Sequence, residues 1–186
     1  MRNTPGLRGT GTRKATVCAL MAALIAVCSQ IQIPLPAIPV NLALFAVHLS
    51  GALLGAAGGT LSAAVYVLLG VIGLPVFVGF RAGPAVLFGK TGGYILGYLF
   101  CAWLVGLLSR RHPFTFRRLC LSMTLGALVC YFFGTVWFMI LTGLDLPAAL
   151  SLCVLPFLPG DAVKIALAAL LALRLRPWLI RMGFPV

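Results

Sequence analysis

Glutamate is absent from this 186-residue chain, and aspartate occurs only as Asp145 and Asp161. Histidine is nearly absent too, with His48 and His112 alone. The six cysteines include no C-x-x-C pair and no histidine beside them, so no zinc or redox site is expected, nor any metal or cofactor. These gaps narrow the chemistry. A Ser/His dyad lacks a well-placed histidine, and a two-carboxylate mechanism would need Asp145 and Asp161 to meet. The expectation is a protein that is not an enzyme.

Charged residues are also scarce, at 9%, while 62% of the chain is hydrophobic. Soluble domains carry about 25% charged and 45–50% apolar residues. A core of this size cannot hide so much apolar surface, which excludes an ordinary soluble enzyme, a disordered chain and a secreted disulfide scaffold. What remains is a polytopic membrane protein.

The net charge of +12 is not spread evenly. Arg2, Arg8, Arg13 and Lys14 precede the first apolar run, Arg110, Arg111, Arg117 and Arg118 flank a polar break, and Arg174, Arg176 and Arg181 end the chain. Such clusters at span ends mark the cytoplasmic side, so they indicate topology and not nucleic-acid binding.

Six spans are read along the chain, as one transmembrane domain over residues 1–186. They cover residues 15–33, 41–57, 61–78, 84–108 and 118–141, and a sixth that begins between 150 and 161 and ends near 180. The basic leading segment and first apolar run resemble a secretion signal but are read as the first span. Pro34, Pro36 and Pro39 stop that span, and a Gly58-Gly59 turn links the second and third. Residues 1–14 form a basic tail and 109–118 a basic loop. Even numbers of spans separate the three clusters, so all share one side, and both termini are expected to be cytoplasmic.

Five charges stand outside the clusters: Arg81, Lys90, Asp145, Asp161 and Lys164. By this topology all converge on the outer half of the membrane. Pro159-Gly160-Asp161-Ala162-Val163-Lys164 is the most informative stretch. Pro and Gly break the backbone, Asp161 is suited to an N-cap, and Asp161 and Lys164 share one helix face. Ionisable residues inside a span mark a functional site by default. Lys90 is suited to an anionic substrate group. Gly89-Lys90-Thr91 does not make a phosphate loop, because five residues, not four, separate Gly83 from Gly89. Asn41, Tyr66, Tyr94 and Tyr98 offer hydrogen bonds, with Tyr94 one turn from Lys90; Phe77, Phe80 and Trp137 offer apolar walls. Small residues recur every fourth position, as Ala19 and Ala23, as Gly51, Gly55 and Gly59, and as Gly89, Gly93 and Gly97, which lets helices approach closely.

Three blocks carry a resemblance to a known family: Leu69-Gly70-Val71-Ile72-Gly73-Leu74-Pro75-Val76-Phe77, Phe88-Gly89-Lys90-Thr91-Gly92-Gly93-Tyr94 continuing to Tyr98, and Leu158-Pro159-Gly160-Asp161 with Lys164. With Pro39-Val40 and the six-span layout, the chain resembles the BioY family, the biotin-specific S components of energy-coupling-factor (ECF) transporters. The resemblance implies an all-α S-component bundle in the bacterial plasma membrane and biotin as substrate. It implies Asp161 and Lys164 at the biotin site; the residues themselves offer Lys90, Tyr94, Arg81, Phe77 and Asn41 as further contacts, and the family varies at Lys90. Asn41-Leu42-Ala43 departs from the Thr-Leu-Gln that many members carry there. The implied partners are a transmembrane coupling protein (EcfT-type) and two cytoplasmic ATPases, docked through Ala19 and Ala23. The chain itself has no Walker motif. The alternatives are an S component for another small anionic vitamin and a biotin facilitator acting alone.

Overall fold

The computed structural model describes residues 8–35, 38–110 and 114–181, and these form a bundle of six helices with one short hairpin. Arg2, Pro36, Arg111 and His112 lie outside the described residues. Helix α1 runs Arg8–Gln30, starting earlier than the apolar run that announced it. The chain then forms strands β1 (Gln32–Ile33) and β2 (Val40–Asn41), paired antiparallel across the proline-rich stretch that cannot continue a helix. Helix α2 covers Ala43–Val71, α3 Gly92–Ser109, α4 Phe116–Thr142, α5 Leu146–Cys153 and α6 Leu158–Arg181.

Four of these helices, α1 to α4, are long and apolar enough to cross a membrane, and α5 with α6, bent by 53°, are so when taken together as one broken span. The remaining expected segment comes from α2, which folds back on itself. Residues eight apart in a straight helix lie about 12 Å from each other. Yet a Cβ on Gly59 would stand 2.7 Å from the Cα of Gly51. The fold-back is at Gly55 (φ 71°, ψ −176°), not at the expected Gly58-Gly59 turn, which is helical. Gly55 takes a backbone conformation that side chains resist. Gly59 instead lets the two arms of α2 touch. The break is enclosed by protein: α2 packs against α1, α3 and α6, and a Cβ on Gly55 would meet the Arg110 side chain.

Two further boundaries differ from expectation. The third segment ends as helix at Val71, and residues 84–91, expected to begin the fourth, form an irregular loop with a short 3₁₀ turn at Pro84–Val86. Gly92 explains the late start of α3, because any Cβ there would collide with the carbonyl oxygen of Leu87.

The glycine spacing is used mostly within the bundle. A Cβ on Gly93 would meet the side chain of Trp137 and stand 2.5 Å from the carbonyl oxygen of Phe133; one on Gly97 would stand 3.1 Å from Cys130. Gly89 of the same run lies in the loop, outside any helix. Gly93→Leu should therefore force α3 from α4, a clash with backbone that exceeds the ~1–3 kcal/mol typical of overpacked core sites. The expected result is a large fall in melting temperature in detergent. Gly11→Ala, whose Cβ meets nothing within 4 Å, should leave it unchanged.

The packing also sorts the charges. α1, α3, α4 and α6 begin or end so that Arg13, Lys14, Arg110, Arg117, Arg118, Arg174, Arg176 and Arg181 all gather at one end of the bundle. The hairpin, the 72–91 loop and the start of α6 lie at the other.

Candidate functional site

At the end opposite the arginines, a cavity of about 660 Å³ opens beneath the hairpin and the 72–91 loop. The hairpin supplies Asn41, α2 Leu44 and Tyr66, the loop Phe77, Arg81, Lys90 and Thr91, α3 Tyr94, Ile95 and Tyr98, α4 Cys130 and Tyr131, and α6 Asp161 and Lys164. All seven residues singled out as ligand candidates therefore line one space, although they come from positions 41 to 164.

The floor is the Asp161–Lys164 pair. Lys164 Nζ donates to Asp161 Oδ1 at 2.7 Å, and the Tyr131 hydroxyl donates to Asp161 Oδ2 in a short hydrogen bond. Asp161 is only 5% exposed and Lys164 8%. Asp161 is not the N-cap that Pro159-Gly160 suggested. Helix α6 already starts at Leu158, and the Asp161 amide donates to the Phe157 carbonyl at 2.8 Å. Pro159 falls in the first turn, where a missing N–H costs nothing. Asp161 thus sits in that first turn, where the helix dipole favours an anion.

This pair is neutral as a unit, but its valence is not spent. Each carboxylate oxygen has two lone pairs and uses one on a protein donor, and the ammonium has three donors and uses one. The floor can therefore accept N–H groups and donate to a carbonyl oxygen side by side.

Aromatic rings build the walls. Tyr66 and Phe77 meet edge to face at 5.6 Å, Tyr66 and Tyr98 lie 6.5 Å apart, and Tyr94 meets Phe157 at 6.2 Å. Phe77 can lie against α2 because Gly70 beneath it has no side chain. The Tyr94 hydroxyl donates to the Cys153 carbonyl at 2.9 Å, so its proton is engaged and its ring faces the cavity. Asn41 Oδ1 accepts the Ala43 amide at 3.0 Å and meets the Tyr98 hydroxyl at 3.5 Å. Among the described residues this leaves the Asn41 amide hydrogens without a partner.

Arg81 and Lys90 are exposed at the mouth, both on the loop and not in a helix. Three expected participants do not join the site. Phe80 is 71% exposed and outside the lining, because its backbone turns outward at φ 57°. Asp145 is exposed at the N-cap position of α5, away from the cavity. Trp137 is no wall either: its Nε1 donates to the Gly89 carbonyl at 3.1 Å and fastens the loop to α4.

Two residues escaped the sequence reading. Tyr131 was visible only through the need of a buried carboxylate for more than one donor. Gln30 is polar at the end of an apolar helix. Its Nε2 donates to the carbonyls of Val76 (3.0 Å) and Phe77 (3.1 Å), and its Oε1 accepts the Phe80 amide at 3.0 Å.

Comparison with known proteins agrees with this geometry. The model of the BioY family matches residues 1–181. The biotin transporter BioY of Thermotoga maritima is 40% identical over 164 residues, covering 88% of this chain and 96% of its own. Biotin transporter BioY2 of Lactococcus lactis is 34% identical, covering 91% and 93%. The crystal structure of an S component for biotin from an ECF-type ABC transporter superimposes with a TM-score of 0.83 at 29% identity, over 95% of each chain. Sequence blocks, bundle and cavity thus lead to one assignment, and this multi-pass membrane protein belongs to the BioY family.

Proposed function

We propose that the protein is the biotin-capturing S component of a vitamin uptake transporter. The observation that carries this reading is the neutral Asp161–Lys164 pair at the floor of an aromatic cavity, with unused acceptors and donors pointing to one ligand group. The ureido ring of biotin has two N–H donors and one carbonyl. Asp161 accepts from the former and Lys164 donates to the latter, both charge-assisted. Phe77 and Tyr66 pack against the thiophane ring and aliphatic tail. Lys90 or Arg81 meets the ligand carboxylate at the mouth, and the amide hydrogens of Asn41 add a polar contact.

The basic end is cytoplasmic in this reading, as the positive-inside rule requires, and both termini with it. Biotin then enters from outside, and the hairpin and the 72–91 loop close over it. Inward release needs a second state of lower affinity. A transmembrane coupling protein bound to the face of Ala19 and Ala23, with two ATPases behind it, supplies the energy. Both alanines are exposed on α1 and one turn apart, which suits close helix approach.

Calorimetry on the purified protein tests the assignment. Biotin should bind tightly at one site, and biotin amide, without the carboxylate charge, more weakly. A folded protein that gives no heat with biotin would overturn the ligand. Uptake that persisted in cells without any ATPase module would overturn the partnership.

A further inference from the structure

The turn at residues 76–81 is held in an unusual way. Phe77 and Arg81 exchange both backbone hydrogen bonds, at 3.1 and 3.2 Å, closing a tight hairpin with Val78, Gly79 and Phe80 at its tip. Gly79 has φ 71° and Phe80 φ 57°. For glycine that is free, but for a bulky residue it is a strained conformation that surrounding structure must enforce. Phe80 is the one non-glycine residue with positive φ among those described. Its ring does nothing to enforce it, being 71% exposed.

The enforcing group is Gln30. Its carboxamide holds three backbone groups of the turn, taking the Phe80 amide on its oxygen and giving its hydrogens toward the Val76 and Phe77 carbonyls. Ser29 adds a hydroxyl hydrogen bond to the Val76 carbonyl at 2.6 Å. The same turn supplies Phe77, Val78, Gly79 and Arg81 to the cavity lining. Gln30 does not line the cavity itself.

We infer that Gln30 is a positioning residue, a latch on α1 that holds the strained 76–81 turn closed over the cavity and so sets how long a ligand stays. Without it the turn relaxes, Phe77 and Arg81 leave their places, and the cavity opens. The effect on a bound ligand rests on the biotin reading above; the effect on the turn does not.

Two measurements on Gln30→Leu and Gln30→Glu test it. The first is amide hydrogen exchange without ligand, which should rise at least tenfold in peptides covering residues 76–81 while those from α3 and α4 stay unchanged. The second is a chase of labelled biotin, in which release should be at least tenfold faster with association within about threefold of the parent. Gln30→Glu keeps an acceptor for the Phe80 amide but turns a carboxylate toward two carbonyls, so it should act in the same direction. Adding Phe80→Gly to Gln30→Leu removes the strain and should recover much of the slow release, which loss of general packing would not allow. Unchanged exchange at 76–81 in both variants would overturn the latch. Faster exchange with unchanged release would overturn its control of residence. A parent that binds no biotin yet shows the exchange effect would leave the latch standing and remove the ligand.

Discussion

Replacing Asp161 with asparagine is expected to weaken biotin binding by a factor of at least about 100, or about 2.7 kcal/mol. The side chain keeps its shape and can still accept from the Tyr131 hydroxyl. It loses the charge that pairs with Lys164 at 2.7 Å and strengthens any N–H bond from a ligand. Removing one partner of a buried ion pair costs about 3–5 kcal/mol, because the other charge is left uncompensated. Part of that cost should appear as lower thermal stability. A second variant separates the two effects. Asp161→Asn with Lys164→Met leaves no uncompensated buried charge, so much of the lost stability should recover. Binding, measured by calorimetry, should not recover. Parental affinity in the single variant would make the pair purely structural.

The second large effect is expected on the exposed face of α1. Ala19→Trp with Ala23→Trp should reduce ATP-driven biotin uptake to background and remove the ATPases from the purified complex. Biotin affinity should stay within about twofold. Both residues are exposed on α1 and neither lines the cavity, so bulk there should not reach the ligand. The exposed face of α1 also shows why an intermolecular seam is plausible: Ala22, on another face, is already buried inside the bundle. Transport at parental rates in the double variant would move the docking surface elsewhere.

Much of this molecule is legible in its sequence. Hydropathy and charge clusters delivered the helical membrane class, and the contacts between helices gather the described basic residues at one end, as counting spans required. Asp161 and Lys164 were legible because three residues apart on a helix means one face. Arg81 and Lys90 stood out because charge is so rare here. The failures have a common physical origin. Residues 84–88 are apolar, and Gly89 begins a fourfold-spaced run with Gly93 and Gly97, which reads as helix. Yet Gly83 at φ 91° and the Leu87–Gly92 contact make a loop of them. Hydropathy reports burial in lipid or protein and cannot separate a span from a lid. The fold-back at Gly55 was misplaced by three residues because Gly55, Gly58 and Gly59 are equally permissive locally, and only packing against α3 chooses among them. Tyr131 and Gln30 were invisible for another reason: each acts on a group at least 30 residues away, and no periodicity records such a pairing.

The segregation of charge around the cavity has one more outcome. With Asp161 and Lys164 cancelling each other, the uncompensated lining charges are Arg81 and Lys90, both positive and both at the mouth. Field lines from two cations at an opening with low-dielectric walls reach solvent and draw in anions before any contact is made. At physiological ionic strength that reach is about 8 Å, and it lengthens as salt is diluted. The frequency of productive encounters should then depend on salt, while the escape of a ligand already seated under the loop should not. Two vitamins of equal final affinity, one anionic and one neutral, would be captured at different speeds. When the vitamin outside the cell is scarce, that difference in speed is the selectivity that matters.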